Sequence, residues 1–408
     1  MSYDIVIAGG GLVGGSFALM LAAGLTESAR ILLVDTQPLA ADDRGSIQAD
    51  FDARSTALSW GSRQIYDKIG LWGQLAPYAC AINDIHVSDR GHPGAVRLHN
   101  EEMGVEALGY VLENQHLSSV INQALGEQST IEICAPATVS QARPTPDGMA
   151  IQLQVPGGQK QLNTRLLVLA DGGRSGLCEQ LGIQLDRRPY QQQALVCNVA
   201  FEKDHQGQAF ERFTDTGPMA ILPLNSDSHV DSGYRGALVW TLAEDSAADV
   251  LQMPDDEFLA ALQQRFGWRL GSMRRVGRRA LYPLALTLAQ EQIRPGLVLL
   301  GNVAHTLHPV AGQGLNLALR DASALAKLLT DTINAGESAE VGAYARLEAF
   351  QQAQDWDQRS TVMFSDLTTR LFSNSQPALV TGRNLGLLMM DLMPPARRWF
   401  ARQAMGLR

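Results

Sequence analysis

Residues 3–14 read Tyr3-Asp4-Ile5-Val6-Ile7-Ala8-Gly9-Gly10-Gly11-Leu12-Val13-Gly14, a short apolar run rich in β-branched residues that passes at once into glycines. Its length and composition predict a buried parallel strand. Phe17 to Leu25 then reads as a helix ending near Gly24, and Ile31-Leu32-Leu33-Val34-Asp35 as a second strand closing on a carboxylate. Strand, helix and strand in this order make a βαβ unit. Gly9, Gly11 and Gly14 match G-x-G-x-x-G, with Asp35 about 20 residues beyond the last glycine. The first glycine permits the tight turn, the second lets a pyrophosphate reach the backbone, and the third lets the helix pack close. The helix N-terminus adds unpaired N–H groups and a positive dipole end, and Asp35 would accept hydrogen bonds from ribose hydroxyls.

A chain of 408 residues is too long for one core, so a second domain is expected. The net charge of −9, with no Lys/Arg-rich block, argues against a nucleic-acid partner, because no basic field exists to displace counterions from phosphates. Cys80, Cys134, Cys178 and Cys197 lie too far apart for a CxxC pair. No metal site is expected from them, and buried, inert thiols in a reducing cytosolic compartment fit best. The apolar stretch Ile5 to Leu25 is not read as a signal segment, since Asp4 precedes it and six glycines interrupt it. With no uninterrupted apolar run of about 18 residues, a cytoplasmic protein is expected, or one peripheral on the inner face of the membrane.

Residues 36 to 60 are polar and read as loop, and Leu117 to Gly126 as a helix. Thr130–Cys134, Ala137–Ala142, Met149–Val155 and Gln161–Ala170 read as strands, with a turn at Pro156-Gly157-Gly158. Ala194–Phe201, Met219–Leu224 and Gly236–Leu242 suggest a further sheet between about 183 and 280. Leu297-Val298-Leu299-Leu300 is another core strand, and Leu315, Leu319, Ala322, Ala326 and Leu329 recur at helical spacing beyond it. The nucleotide domain is therefore expected to be discontinuous. Two later segments carry their own signal. Leu166 to Ala170 exits through Asp171-Gly172-Gly173-Arg174-Ser175. Gly301-Asn302-Val303-Ala304-His305-Thr306-Leu307-His308-Pro309 leads on to Gly312-Gln313-Gly314-Leu315-Asn316, with glycines where amides could face a ligand at the start of a helix.

In this order the three segments resemble the GxGxxG, DG and GD fingerprints of the class A flavoprotein monooxygenases, the aromatic hydroxylases of the para-hydroxybenzoate hydroxylase fold. Val87-Ser88-Asp89-Arg90-Gly91-His92, Glu211-Arg212-Phe213-Thr214, Phe266-Gly267-Trp268-Arg269-Leu270-Gly271, Tyr282-Pro283-Leu284-Ala285-Leu286-Thr287 and Gly382-Arg383-Asn384-Leu385-Gly386-Leu387 narrow it. These are similar to the ubiquinone-biosynthesis hydroxylases, most of all to those that act on 2-octaprenyl-6-methoxyphenol. The resemblance spans residues 3 to 395. It implies an α/β (α+β two-domain) architecture: a Rossmann-type FAD domain over 1–80, 108–182 and 281–345, with an inserted β-sheet substrate domain over 81–107 and 183–280. A C-terminal helical region would fill 346–408.

Carried over, Gly9, Gly11 and Gly14 would hold the FAD pyrophosphate, Asp35 the adenosine ribose, and Arg54 would approach the flavin side. Asp171 and Gly172 match the motif linked to both pyrophosphate and NAD(P)H. Gly301, Asn302, Pro309, Gly312, Gln313, Gly314, Leu315 and Asn316 would border the flavin. Asn302 stands where the wider class has Asp, and Leu177-Cys178 where its DG motif ends in Arg. The family chemistry implied is transient docking of NADPH or NADH, reaction with O2 to a C4a-hydroperoxyflavin, and attack on an electron-rich phenol. The substrate would be 2-polyprenyl-6-methoxyphenol, converted to the 1,4-benzoquinol in ubiquinone biosynthesis. A paralogous hydroxylase of another ring carbon and a non-catalytic prenyl-binding scaffold are the alternatives. A halogenase is disfavoured, since no Trp-x-Trp element appears.

His305 and His308 near the flavin invite a general-base role, yet glycines and Pro309 set the motif's geometry, so satisfied or packing histidines are expected and no base is named. Phe213, Met219, Leu222, Pro223 and Trp240 are candidates for an apolar pocket, with core packing the competing role. From Pro377 to Arg408 five arginines (Arg383, Arg397, Arg398, Arg402, Arg408) accompany one acid, Asp391, and many apolar residues. Such a segment suggests contact with a membrane surface or with partner proteins of ubiquinone biosynthesis.

Overall fold

A computed structural model describes residues 2–39, 51, 53–90, 94–226, 233–309, 312–372 and 391–407. Its first layer is an open sheet in the order Ile293–Arg294, Leu297–Leu299, Gly158–Leu169, Ser2–Ala8, Ile31–Val34, Ile131–Cys134. Ser2–Ala8 lies at its centre, with Ile5 paired in parallel to both Leu166 and Ile31. Side chains alternate between faces along a strand, so Ile5, Ile7, Leu33, Leu166 and Val168 meet the helices Leu12–Gly24, Asn114–Gly126 and Gln313–Asn334. Val6, Ala8, Leu32, Val34, Leu167 and Leu169 meet the hairpin Thr138–Thr145/Gly148–Val155 on the other side. Burial on both faces explains why these strands read as unbroken apolar runs.

The second layer is a nine-stranded sheet ordered His305–Thr306, Ala280–Ala289, Leu185–Phe201, Tyr234–Ala243, Gly217–Leu224, Gln208–Thr214, Asp84–Asp89, Ala95–His99, with Met273–Val276 also pairing Leu185–Phe201. One face is covered by the helices Glu244–Gln252 and Asp255–Phe266 and buries Leu195, Phe201, Met219, Ile221, Leu238, Trp240, Phe258 and Phe266. The other face looks toward the nucleotide domain. Between them lies a three-stranded sheet, Ser55–Ser59, Gly109–Glu113 and Cys80–Ile82. A fold of Rossmann-type FAD domain with an inserted β-sheet substrate domain is what the sequence led one to expect.

Several details differ from the sequence reading. The first helix begins at Leu12, five residues before Phe17, and takes Gly14 and Gly15 into its first turns. Helix propensity disfavours those glycines, but a Cβ on Gly15 would sit 2.8 Å from Ile121 Cγ2. Close packing of two helices decides the matter. The loop expected up to residue 60 gives way to the strand Ser55–Ser59 and a helix from Trp60, capped by the Ser59 hydroxyl. Ser-Thr-Ala-Leu-Ser carries no apolar alternation, so only pairing with Gly109–Glu113 makes it a strand. Ala280–Ala289, assigned almost wholly to the nucleotide domain, belongs to the substrate sheet through its ladder with Leu185–Phe201. Among the described residues no helix is long and apolar enough to cross a membrane, and no cluster of metal-ligating side chains occurs.

Candidate active site

A cavity of about 720 Å³ opens where the central strand Ser2–Ala8 meets its helix. Gly9, Gly10, Gly11, Asp35, Arg54, Asn114, Asp171, Gly172, Asn302 and Leu315 are among the residues that line it. The three motif glycines take three distinct places. Gly9 has φ +109°, and a Cβ there would lie 2.6 Å from the Ala170 carbonyl oxygen. A Cβ on Gly14 would lie 1.8 Å from the Gly9 carbonyl oxygen, so the helix could not seat on the strand. Gly11 meets nothing within 4 Å and leaves its backbone open to the cavity.

The charged residues are partly committed to the loops that carry them. Asp35 Oδ2 accepts the Gly10 N–H at 2.6 Å and Oδ1 accepts that of Gln37 at 2.8 Å. Each oxygen keeps a lone pair for a hydroxyl. Asp171 accepts the amides of Gly173 and Ser175, both at 2.9 Å, so its carboxylate closes the turn and Gly172, at φ +69°, shapes the wall. Arg54 Nη1 donates to the Tyr282 hydroxyl at 3.0 Å, tying the cavity to the substrate sheet. Gly301 takes φ +76° and abuts Val13, which leaves Asn302 exposed on the wall.

Pro309, Gly312, Gln313, Gly314 and Asn316 do not line this cavity. They form the turn next to it that opens the helix Gln313–Asn334, with Gly312 at φ +61°. Gly314 has nothing within 4 Å of its Cβ position, whereas Gln313 Nε2 donates to the Ala404 carbonyl at 3.3 Å. The Asn316 amide, expected at the cofactor, is fully used inside the protein. Its oxygen accepts from the Ser59 N–H and the Ser62 hydroxyl at 2.8 and 2.7 Å. Its nitrogen donates to the Ala57 and Gly312 carbonyls at 2.9 and 2.7 Å. Two acceptor and two donor sites exhaust an amide, so Asn316 fastens the strand Ser55–Ser59 to the helix start and acts by position.

His305 and His308 lie inside the protein and not on the described cavity wall. His305 Nε2 lies 2.8 Å from Asp321 Oδ2, which also accepts from Gln358 Nε2 at 2.9 Å. His308 packs edge-on against Tyr190, and burial pushes its imidazole down to about 4, so it stays neutral at ordinary pH. Met219 and Trp240, paired across neighbouring strands, are enclosed on the helix-covered face with Phe258 and so occupy core positions. Phe213 and Leu222 face the nucleotide domain, in a cluster that also holds Val111, Ala57 and Trp60. Pro223 is buried next to Leu222. The cysteines are free; burial pushes the Cys80 thiol up to about 11 and raises that of Cys178.

The helix Leu12–Gly24, which begins at the cavity, starts at a glycine, lacks a side-chain cap and has no acid in its first turn, and the helix Gln313–Asn334 beside the cavity shares these features. The first N–H groups of Leu12–Gly24 are left for an anionic ligand. Together with the open backbone at Gly11 and the carboxylate of Asp35, this donor set fits the pyrophosphate and ribose of FAD. Gly9, Gly11, Asp35 and Asn302 on the cavity wall would hold it, with Gly14 seating the helix behind them.

Comparison with known proteins agrees with that chemistry. A family model described as an FAD binding domain matches residues 2–356. Ubiquinone hydroxylase UbiL of Rhodospirillum rubrum is 36% identical, the match covering 99% of this chain and 89% of the relative. The 3-demethoxyubiquinol 3-hydroxylase of Escherichia coli K12 is 29% identical, covering 99% and 98%. Among solved structures, p-nitrophenol 4-monooxygenase PnpA from Pseudomonas putida superposes with a TM-score of 0.76 at 18% identity, covering 100% and 99% of the two chains; that likeness concerns the fold. With an FAD-type cavity, the family model and a relative of this identity in agreement, the chain belongs to the FAD-dependent aromatic monooxygenases of the ubiquinone-hydroxylase-like family.

Proposed function

We propose that the protein hydroxylates the aromatic ring of a polyprenyl phenol in ubiquinone biosynthesis, turning a 2-polyprenyl-6-methoxyphenol into the 1,4-benzoquinol with NADPH or NADH and O2. The observation that carries this reading is similarity over 99% of the chain to proteins named as ubiquinone hydroxylases. A second reading, hydroxylation at another carbon of the same nucleus, is kept because the Escherichia coli relative is named for ring position 3.

The bound flavin supplies the oxygen-activating redox chemistry. The protein binds, orients and shields. Gly11 and the uncapped start of the first helix take the pyrophosphate, and Asp35 the ribose. The start of Gln313–Asn334 presents its positive end beyond Leu315. A half charge at roughly 4 Å and an effective dielectric of 20 stabilises an anion by about 2 kcal/mol. Asn316 holds that helix start at a fixed distance from Ser55–Ser59.

Lipid extracts of a deletion strain, analysed by mass spectrometry, test the reading. Accumulated 2-polyprenyl-6-methoxyphenol supports it, an intermediate without the methoxy group moves the reaction to the other ring carbon, and an unchanged quinone profile rejects both.

The C-terminal segment is the basis of a partner proposal. Of the stretch 377–408, residues 377–390 and 408 lie outside the described residues. In the helix Pro394–Ala404, Ala401 is buried against the body, as is Met405 just beyond it, and Arg397 pairs with Glu102 at 2.9 Å. Leu392, Met393, Arg398 and Trp399 are exposed. An arginine among exposed apolar side chains suits an anionic lipid surface, where a ubiquinone-biosynthesis complex would also assemble.

A further inference from the structure

The face of the substrate sheet that looks toward the nucleotide domain carries a row of side chains of which only Val87 belongs to a packed cluster. The ladders place Val196 opposite Val239, Val239 opposite Ala220, Ala220 opposite Glu211 and Glu211 opposite Val87. Directly paired residues share a face, so five strands give one residue each to a line across the sheet. Its direction is fixed by neighbours. Arg235, four residues before Val239 on its strand, reaches Glu113 of the nucleotide domain. Ala209 and Phe213, flanking Glu211 at two residues, enter the cluster with Val111, Ala57 and Trp60. Phe210 and Arg212 point the opposite way, one ring-on-edge to Phe266 and the other donating to the Phe266 carbonyl.

Val196, Val239, Ala220 and Glu211, with Leu222 beside them, are half-buried although they lie on interior strands. Apolar side chains that solvent still reaches in the middle of a sheet mark a recess above it, since a packed layer would seal them. The helix Tyr344–Phe372 packs against Gly217–Leu224. Glu211 is the one charged group in the row. It has no hydrogen-bond or ion-pair partner among the described residues, and burial alone pushes its carboxyl up to about 7. The other titratable or charged groups on this face and on the elements against it are engaged elsewhere. Arg235 is held by Glu113, Arg54 by Tyr282, and Tyr190 by Asp366 with His308 against its ring. Asp89 and Arg90 on the adjacent strand and Arg402 on the last helix have interactions of their own. None of them compensates Glu211.

A lone carboxylate set over an apolar floor is costly unless a ligand brings the missing donor. We propose that Glu211 receives the hydroxyl of the substrate ring, so that the recess selects a flat apolar ring bearing one ionisable O–H. The assignment rests on the hydroxylase reading above. As the ring is oxygenated, the hydroxyl O–H bond breaks and its proton passes to Glu211 Oε. The electron pair left on oxygen raises electron density on the ring carbons ortho and para to it. No electrons are exchanged with the protein, and the carboxyl returns its proton to water after turnover.

The test uses the FAD-loaded enzyme, with 2-methoxyphenol as probe and its change in flavin absorbance as the signal. A simple phenol ionises near pH ~10, so a titration close to 7 belongs to the protein. Wild type should bind the probe about tenfold more tightly at pH 8 than at pH 6, and should prefer it to 1,2-dimethoxybenzene, which has no O–H. Glu211→Gln, loading FAD as wild type does, should lose the pH dependence while its affinity for 1,2-dimethoxybenzene is unchanged. A wild type that does not distinguish the two probes, or a Gln variant that keeps the pH dependence, would overturn the assignment and leave the hydroxylase reading standing. A wild type that takes up no FAD would overturn both.

Discussion

At the residue scale, the glycine motif separates fold from ligand binding. Gly14→Ala puts a methyl 1.8 Å from a backbone oxygen that cannot move away, and should cost about 1–3 kcal/mol of stability along with FAD retention. Gly11→Leu points into open space, so thermal unfolding of the apoprotein should stay near wild type while FAD uptake fails. Unfolding curves and flavin absorbance of the two variants check both statements. Glu211 gives a pH signature. Its carboxyl lies near 4.5 in the unfolded chain and is raised to about 7 by burial when folded. The folded state holds more protons between those values, so stability falls as pH rises through the window and is level above it. Glu211→Gln removes that loss. In urea unfolding it should be more stable than wild type by about 1–2 kcal/mol at pH 8, with allowance for solvent contact, and no more stable at pH 4.

At the element scale, the strand Ser55–Ser59 and the helix Gln313–Asn334 depend on one amide. Asn316→Ala would leave the Ser59 N–H and the Ala57 carbonyl in the interior without these partners, at about 1–3 kcal/mol for each group that finds no water. We expect a loss of about 2–4 kcal/mol in chemical denaturation, with flavin released before global unfolding because the helix start loses its anchor. Sequence reading placed Asn316 in the right motif but at the cofactor. No local signal indicates that an asparagine will meet a serine N–H 257 residues away. The strands Tyr3–Ala8 and Ile31–Val34 were legible because burial on both faces writes itself as an apolar run. Ser55–Ser59 and Gln208–Thr214 were not, since ladder partners far along the chain define them.

At the scale of the whole molecule, a buried ion pair joins the two domains. Arg235 Nη2 lies 2.8 Å from Glu113 Oε1, with both side chains under a tenth exposed. Desolvation pushes the Glu113 carboxyl up, but the His116 hydrogen bond, the Arg235 charge and the Gln115 hydrogen bond outweigh it, and the net shift is downward. The pair's contribution is therefore present above the ordinary carboxylate range and lost as pH falls through the lowered folded value. Arg235→Met leaves the buried Glu113 charge with only His116 and Gln115 beside it, and should cost about 3 kcal/mol near neutral pH, whereas Arg235→Met with Glu113→Gln should recover most of it. Denaturation of the three proteins near neutral pH gives the comparison.

The sequence by itself determined the dinucleotide loop, the discontinuous nucleotide domain and the family, because tight turns, helix starts and doubly buried strands each demand particular residue types over a short span. Only the tertiary structure decided which polar groups face a ligand. Asn316 is satisfied by protein partners, Asp171 accepts two loop amides, and His305 meets Asp321 through Nε2 while its Nδ1 has no partner among the described residues. Glu211, on the strand Gln208–Thr214 of the other sheet, has no such partner among the described residues. A residue's chemistry is written in its type, but its unmet hydrogen bonds are a property of what surrounds it, and those surroundings come from segments hundreds of residues apart.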